Sequence, residues 1–563
     1  MVLSLIAVCL TFMAGCAPAM TTRSDEPAPV AARQARTLVL VSGAELPSYA
    51  AKKLLVSAST SRAGIADSLM NANLVFLDER GLPRPYLTEA LPELNTSTWQ
   101  LWPDGTMETT YLLRPNLTWH DGQPLTAEDF VFAQRVYATP EYGVAESVDF
   151  RLIQGVSAPD LRSVVIRWKA LNPNAGAVSL ALPPLPRHIL ARAHQEDPGT
   201  FIGLQYWTSE YVGLGPWKLE RREPGSSFEA GAFDGFVFGR PKIDRVRVLY
   251  QPDMNTVVAT ILAGEAHLTD QALLHGYDGI TLEQAWASNQ KGIVLWASDI
   301  GKGWEIQMRP EFAVPTQLAS DRRVRQALAF AVDKAGLHEV VTAGRGVLRE
   351  VWSHPNSDYY DTVARAVPDR YAYDPRRAEQ LLQEAGFTRG GDGGWLTPSG
   401  GRFALHHTYL TGTHNERDAT IGMDSLRRFG IETSTEVFGT QRTSREERAK
   451  MPATFNGSIT LPDKYHTREA AGTENRWVGG NRYGFSHPEM DRLTDAYETT
   501  MGRSDRIQLL AQLERVAMEQ MPAIITYYNS VVVAHSAALK GVVNNLVPEA
   551  GDERLMWTWE WVS

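Results

Sequence analysis

From Thr37 onward the chain alternates short apolar runs with amphipathic stripes of helical period, without a fixed-period repeat or a long low-complexity block. Mixed α and β structure is the expectation, since each kind of element needs one apolar face to bury. Leu38-Val39-Leu40-Val41 is apolar throughout and predicts a strand covered on both faces. The segment Arg240–Tyr250 alternates instead, with Val246, Val248 and Tyr250 on one side and Arg245, Arg247 and Leu249 on the other, as in a half-buried strand.

The helical stripes carry end signals. Asn255 can cap a helix with Val257, Val258, Ile261 and Leu262 on one stripe, and Gly264 stands where a left-handed residue closes it. Asp374-Pro375 is a cap followed by proline at the first helical position, with Ala378, Leu381, Leu382 and Ala385 inward and Gly386 at the end. Ser320 or Asp321 starts another helix, with Val324, Ala327, Leu328 and Ala331 inward. Met490, Leu493 and Tyr497 mark a helix after Ser486, and Ile507, Leu510 and Ala517 one after Ser504. All these stripes predict core packing.

Between Tyr111 and Tyr137 a strand through Leu112 and Leu117 should enter a turn at Asp121-Gly122, where glycine accepts a positive φ. Thr126 precedes Asp129 by three residues, a capping-box spacing, with Phe130, Ala133 and Val136 inward behind it. His120, Asp121, Glu128 and Asp129 therefore read as turn and cap chemistry rather than as a catalytic cluster.

The 563 residues carry 55 Lys+Arg against 65 Asp+Glu, a net charge of −10, which argues against a general nucleic-acid binder. Fifteen tryptophans and moderate charge exclude a disordered chain. The only cysteines are Cys9 and Cys16, so the remainder holds no disulfide. Both lie in an apolar opening, Val2 to Phe12 followed by Met13-Ala14-Gly15-Cys16. That run is too short to span ~30 Å of hydrocarbon as a helix but fits a signal-peptide core. Its end resembles the bacterial lipobox, which implies cleavage before Cys16 and lipidation of that residue. Residues 17–36, rich in Ala, Pro, Thr and Ser, read as a flexible tether, placing a soluble body outside the cytoplasm.

Several blocks then occur in register: Leu113-Arg114-Pro115 leading into Trp119-His120-Asp121-Gly122-Gln123-Pro124-Leu125-Thr126-Ala127-Glu128-Asp129-Phe130, Leu185-Pro186-Arg187-His188, Val212-Gly213-Leu214-Gly215-Pro216-Trp217, Leu262-Ala263-Gly264-Glu265, Asp321 to Leu328, Tyr373-Asp374-Pro375 and Gly484 to Asp491. In these the chain resembles the extracytoplasmic solute-binding proteins of bacterial ATP-binding-cassette importers, in the peptide/nickel cluster. The resemblance implies an α/β fold of two hinged lobes, periplasmic-binding-protein-like (type II, cluster C), with an extra subdomain in the first lobe. Carried onto this chain, the first lobe covers 37–299 and 523–563, with the extra subdomain at about 68–193, and the second covers 300–522. Ile524 to Val533 is then the returning hinge strand.

The same resemblance implies a ligand enclosed between lobes, with Trp304, Trp217 and Tyr528 as wall candidates. Peptide-binding relatives use an acid in a Trp-x-Ala-Asp-Tyr segment to meet the ligand's amine. Ile459 to Tyr465 keeps an acid at Asp463 but has lost the Trp and Ala and gained Pro462. Arg476, Trp477, Asn481, Arg482 and Tyr483 follow, and Arg476 could receive a carboxylate by bidentate hydrogen bonds. The implied partners are a small solute, most simply a peptide, a membrane permease with its ATPases, and the membrane through the lipid anchor, for a monomer with no cofactor, no metal and no nucleic acid.

Alternatives are a receptor for a sugar, opine or metal chelate, a receptor that signals rather than imports, and a secreted hydrolase. No Gly-rich phosphate loop, His-Glu-x-x-His or Gly-x-Ser-x-Gly is present. His406 and His407, adjacent on a strand, point to opposite faces and cannot share an ion, with or without His414.

Overall fold

The computed structural model describes residues 36–52, 54, 68–79, 81–142, 148–178, 181–270, 273–368, 370–439, 444–461, 463–543 and 552–562. Cys16 and the lipobox lie outside the described residues, as do residues 17–35 of the expected tether.

Ten strands form the path of one large sheet: β1 (Thr37–Ser42), β2 (Trp217–Glu223), β3 (Ser227–Ala232), β4 (Arg245–Tyr250), β5 (Leu268–Thr269), β6 (Gly292–Ile306), β7 (Ala404–Leu410), β8 (Glu432–Phe438), β9 (Thr454–Ser458) and β10 (Ala523–Ser536). Their order is β8-β7-β9-β6-β10-β5-β1-β4-β3-β2, and the short strands Leu274–His275 and Val347–Leu348 also pair with β10. β1 lies between the parallel strands β4 and β5, which is why it is apolar throughout. β4 begins at Arg245, later than the alternation allowed, and keeps Val246, Val248 and Tyr250 inward.

Two separate hydrophobic cores sit against this sheet. The first gathers side chains from Leu38 to Tyr250 and again from Leu268, Val533, Leu539, Met556 and Trp559. The second runs from Trp304 to Tyr527. A smaller cluster joins Val41, Ile261, Leu274 and Trp286 to Val532 and Ala534. The long antiparallel strands β6 and β10 pair along nearly their whole length, and every residue of β10 except the last is buried. A four-stranded sheet, Trp99–Leu101, Met107–Leu112, Ser163–Trp168 and Ile153–Ser157, stands apart from the large one.

The helix ends follow local chemistry, with small corrections. Asp253, not Asn255, caps Met254–Ala263, because its carboxylate accepts the Thr256 N–H at 2.8 Å, and Gly264 closes that helix at φ 75°. Asp374 accepts two N–H groups of Pro375–Glu384, and Asp321 caps Arg322–Ala331. The helix expected after Ser486 is Pro488–Thr499, and the one expected after Ser504 begins just before it, as Arg503–Gln520.

The Trp119–Asp129 block is structural. The strand before it ends at Leu112 and does not reach Leu117. Gly122 at φ 86° lets its N–H reach the Trp119 carbonyl at 2.9 Å. His120 is buried, accepting the Gly213 N–H at 3.1 Å on Nδ1 and meeting the Gly215 carbonyl at 3.0 Å through Nε2. The buried Asp129 carboxylate accepts the Thr126 N–H and the Arg187 N–H, both at 2.9 Å, and so ties the starts of helices Ala127–Tyr137 and Arg187–Glu196 together. Three sequence blocks are thus one hydrogen-bonded unit.

Candidate functional site

A cavity of about 630 Å³ opens between the smaller cluster and the second core, within the range of small-ligand pockets. Three helix starts form its walls: Met254 and Asn255, Gly276 to Asp278 of helix Gly276–Trp286, and His414 to Arg417 of helix Thr413–Arg428. Each helix follows a sheet strand or a strand paired to the sheet, so the cavity lies outside carboxyl ends of strands, where open α/β sheets place ligands. Lys302 of β6 and Asn529 of β10 complete it from the crossing pair.

Contacts already cross this space. The Arg417 guanidinium lies 4.6 Å from the centre of the Tyr277 ring, and the His275 and His414 rings are 5.1 Å apart. Burial, with His275, Lys302 and Arg417 nearby, drives the His414 imidazole down to about 2, so it is neutral. The Tyr527 hydroxyl lies 3.3 Å from His414 Nε2 and donates to Asp418 Oδ2 at 2.6 Å. Asn529 is buried, and its Oδ1 meets no donor among the described residues. Two cations, one carboxylate at Asp278 and that free acceptor suit a ligand carrying both charges and hydrogen-bonding groups.

The residues picked out in sequence are scattered. Trp304 and Trp217 are not on a wall: both are fully buried, Trp304 donating to Asp418 Oδ1 at 2.8 Å and Trp217 to the Ile243 carbonyl at 3.0 Å. A bulky aromatic at these positions fills a core, and its one polar atom is already spent. Asn481 is likewise buried and engaged, donating to the His466 and Phe485 carbonyls and accepting the Phe485 N–H, so it shapes its loop rather than facing a ligand. Arg476 is exposed, whereas Trp477 is half-buried beside Arg309 and Lys450, whose charges lie 6.0 and 5.2 Å from its ring. Asp463 opens the 3-10 turn Asp463–Tyr465, and its side chain lies outside the described part of the structure.

Tyr528 does line a cavity, a second and smaller one of about 130 Å³ that also meets Thr460 and Leu461. Its hydroxyl donates to the Trp352 carbonyl at 2.5 Å. His406 contacts Ser434 and Glu436 while His407 is buried against Thr454, so the two imidazoles do face opposite ways. Among the described residues no three His, Cys, Asp or Glu side chains stand close enough to hold a metal ion. Lys302, Asp278, Arg417 and Asn529 were not expected, and no motif surrounds them.

Residues 89–467 match the family model of the bacterial extracellular solute-binding proteins, family 5. The oligopeptide-binding protein AppA of Bacillus subtilis (strain 168) is 24% identical over 552 residues, covering 96% of this chain and 95% of its own. The dipeptide-binding protein of Escherichia coli (strain K12) is 23% identical over 492 residues, covering 81% and 84%. Among solved structures, AppA in complex with a nonapeptide superposes with a TM-score of 0.73 at 21% identity, covering 94% of this chain and 99% of that one. A periplasmic EDTA-binding protein, EppA, gives 0.77 at 15% identity, covering 94% and 96%. These likenesses show the expected α/β periplasmic-binding-protein fold.

Proposed function

Because the chain belongs to family 5 of the bacterial extracellular solute-binding proteins, transport receptors and not enzymes, we propose that it captures a short peptide between two lobes and delivers it to the permease of an ATP-binding-cassette importer. On this reading the lobes are 37–299 with 523–563 and 300–522, hinged on β6 and β10, with the separate four-stranded sheet inside the extra subdomain of about 68–193. The observation that carries this reading is the cavity of about 630 Å³ walled by two helix starts from the first of these stretches and one from the second. Hinged lobes that close on a ligand need such a space, shared by both and lined by adaptable aromatic and charged groups.

A peptide fits the charges. Asp278 can meet its amine, and Lys302 and Arg417 its carboxylate. Asp463, which opens the turn Asp463–Tyr465, is kept as a further candidate amine partner on this reading. Arg476, exposed on its loop, is held as a rim contact. Lipidation at Cys16 would tether the receptor to the membrane beside its permease.

Mass spectrometry of the purified protein, native and then denatured, tests the ligand class. A series of short peptides supports the reading, and Asp278→Asn and Lys302→Ala should each reduce their retention severalfold. A bound sugar, opine or metal chelate, with no peptide able to displace it, would overturn peptide specificity.

A further inference from the structure

The smaller cavity has a chemistry of its own. Its lining includes Arg349, Trp352, His354, Thr460, Glu514 and Tyr528. Arg349 is only 3% exposed, yet it makes no ion pair among the described residues. Its hydrogen bonds go to backbone carbonyls, of Trp352 at 2.7 Å and of Lys302 and Ile459 at 3.4 Å, and its charge lies 4.6 Å from the Tyr528 ring. Arg349 Nε meets no acceptor among the described residues, and neither does Trp352 Nε1 or His354 Nε2.

The tautomer of His354 follows from its neighbour. Its Nδ1 accepts the Asn356 N–H at 3.1 Å, so in the neutral ring the proton sits on Nε2, and burial drives this imidazole down to about 4. All three unmatched nitrogens are therefore N–H donors on side chains lining one cavity. Among the described residues that line it the one acid is Glu514, whose two oxygens are engaged by the Ser353 hydroxyl and the Trp352 backbone N–H. Burial pushes its carboxyl up to about 7, with the Arg349 charge pulling the other way. Three buried donors without acceptors grouped around one space suit an acceptor group.

We propose that this cavity is a binding subsite for a carboxylate of the captured solute, with Arg349, Trp352 and His354 as its donors, an inference that rests on the solute-receptor reading above. A carboxylate supplies the missing negative charge and two acceptor oxygens at once. The volume of about 130 Å³ takes the acidic end of a side chain but not a whole ligand. An adjoining hollow shares Tyr359, Tyr497 and Leu510 with it and adds Arg503, which pairs with Asp358, and Arg506. The subsite therefore selects among solutes for one bearing a carboxylate.

The test is retention from an equimolar mixture of random tripeptides by the full-length protein, followed by sequencing of the bound fraction, with glutarate titrated separately in a thermal-shift assay. Peptides containing Asp or Glu should be enriched about tenfold over the input in the wild type. Arg349→Met and Trp352→Phe should return that ratio towards one while still retaining peptides; Trp352→Phe keeps the shape of the core and decides the matter should Arg349→Met fail to fold. Peptides retained without acidic enrichment, or with enrichment unchanged in a folded variant, would overturn the inference, leave the peptide reading standing, and mark the space as water-filled. No retained peptide, with glutarate stabilising the wild type but not Trp352→Phe, would overturn the peptide reading and support the subsite. Silence in both assays would overturn both.

Discussion

The Arg151 guanidinium lies 3.2 Å from the Glu469 carboxylate, joining the helix Val148–Leu152 beside the four-stranded sheet to a loop of the second core. A second link, Arg506 Nη2 to Asn174 Oδ1 at 3.4 Å, spans the same two regions. On the two-lobe reading these contacts hold the closed form. A partly exposed ion pair contributes about 0.2–1 kcal/mol, so Glu469→Gln should speed ligand release by about 1.4- to fivefold and leave the association rate nearly unchanged. Stopped-flow dissociation checks it; an unaltered release rate would remove the pair from the closing mechanism.

Gly303 sits where β6 shifts register against β10, and a Cβ there would strike the Ile459 side chain and the Ile524 carbonyl. Gly303→Ala should destabilise by about 1–3 kcal/mol through overpacking. Urea denaturation would show it, and an unchanged midpoint would mean that the crossing strands yield more readily than their packing implies.

Stability should fall in acid. Burial, as the leading cause, holds the imidazoles of His120, His407 and His414 down to about 4, 3 and 2. A depressed histidine takes up more protons unfolded than folded, so its contribution is whole above the ordinary value near 6.5 and shrinks as pH falls through that window, for His120 by about 3 kcal/mol at pH 4. Glu514 acts the other way. Its carboxyl, raised to about 7, adds stability at low pH that is lost as pH climbs from about 4.5 to 7. Relative to the wild type, Glu514→Gln should gain on the order of 3 kcal/mol at pH 8 and nothing at pH 4. Denaturation curves across that range test both signs, and a pH-independent difference would contradict the assignment.

Cys16→Ser should yield a folded receptor that partitions with the soluble fraction, whereas the unaltered protein stays with membranes. Cell fractionation and mass of the mature amino terminus distinguish the outcomes. Membrane association that survives the substitution would defeat the proposed lipid anchor.

Local chemistry was legible in the sequence wherever one residue acts on its near neighbours. The Asp374-Pro375 start, the Asp121-Gly122 turn and the Thr126–Asp129 cap each depend on a few consecutive residues, and the structure has all three. What His120 does was not legible, because its partners Gly213 and Gly215 stand more than ninety residues away. The larger cavity was hidden for the same reason: Asp278 and Arg417 come from two helices and Lys302 and Asn529 from two long strands, each unremarkable in its own surroundings. Trp304 and Trp217 misled because a large aromatic looks the same in sequence whether it fills a core or faces a ligand.

The chain order of the two cores has a consequence during synthesis. The second is drawn from one continuous stretch, Trp304 to Tyr527, and has all its parts while the final residues are still being made. The first lacks Val533, Leu539, Met556 and Trp559 until the very end, although its earliest strand begins at Thr37. The earlier-made core must therefore wait for the later one, exposing apolar surface for most of the time the chain takes to emerge. A ribosome that stops near Gln520 leaves the first core open along the β5 edge that β10 covers, an invitation to aggregation that the last forty residues withdraw.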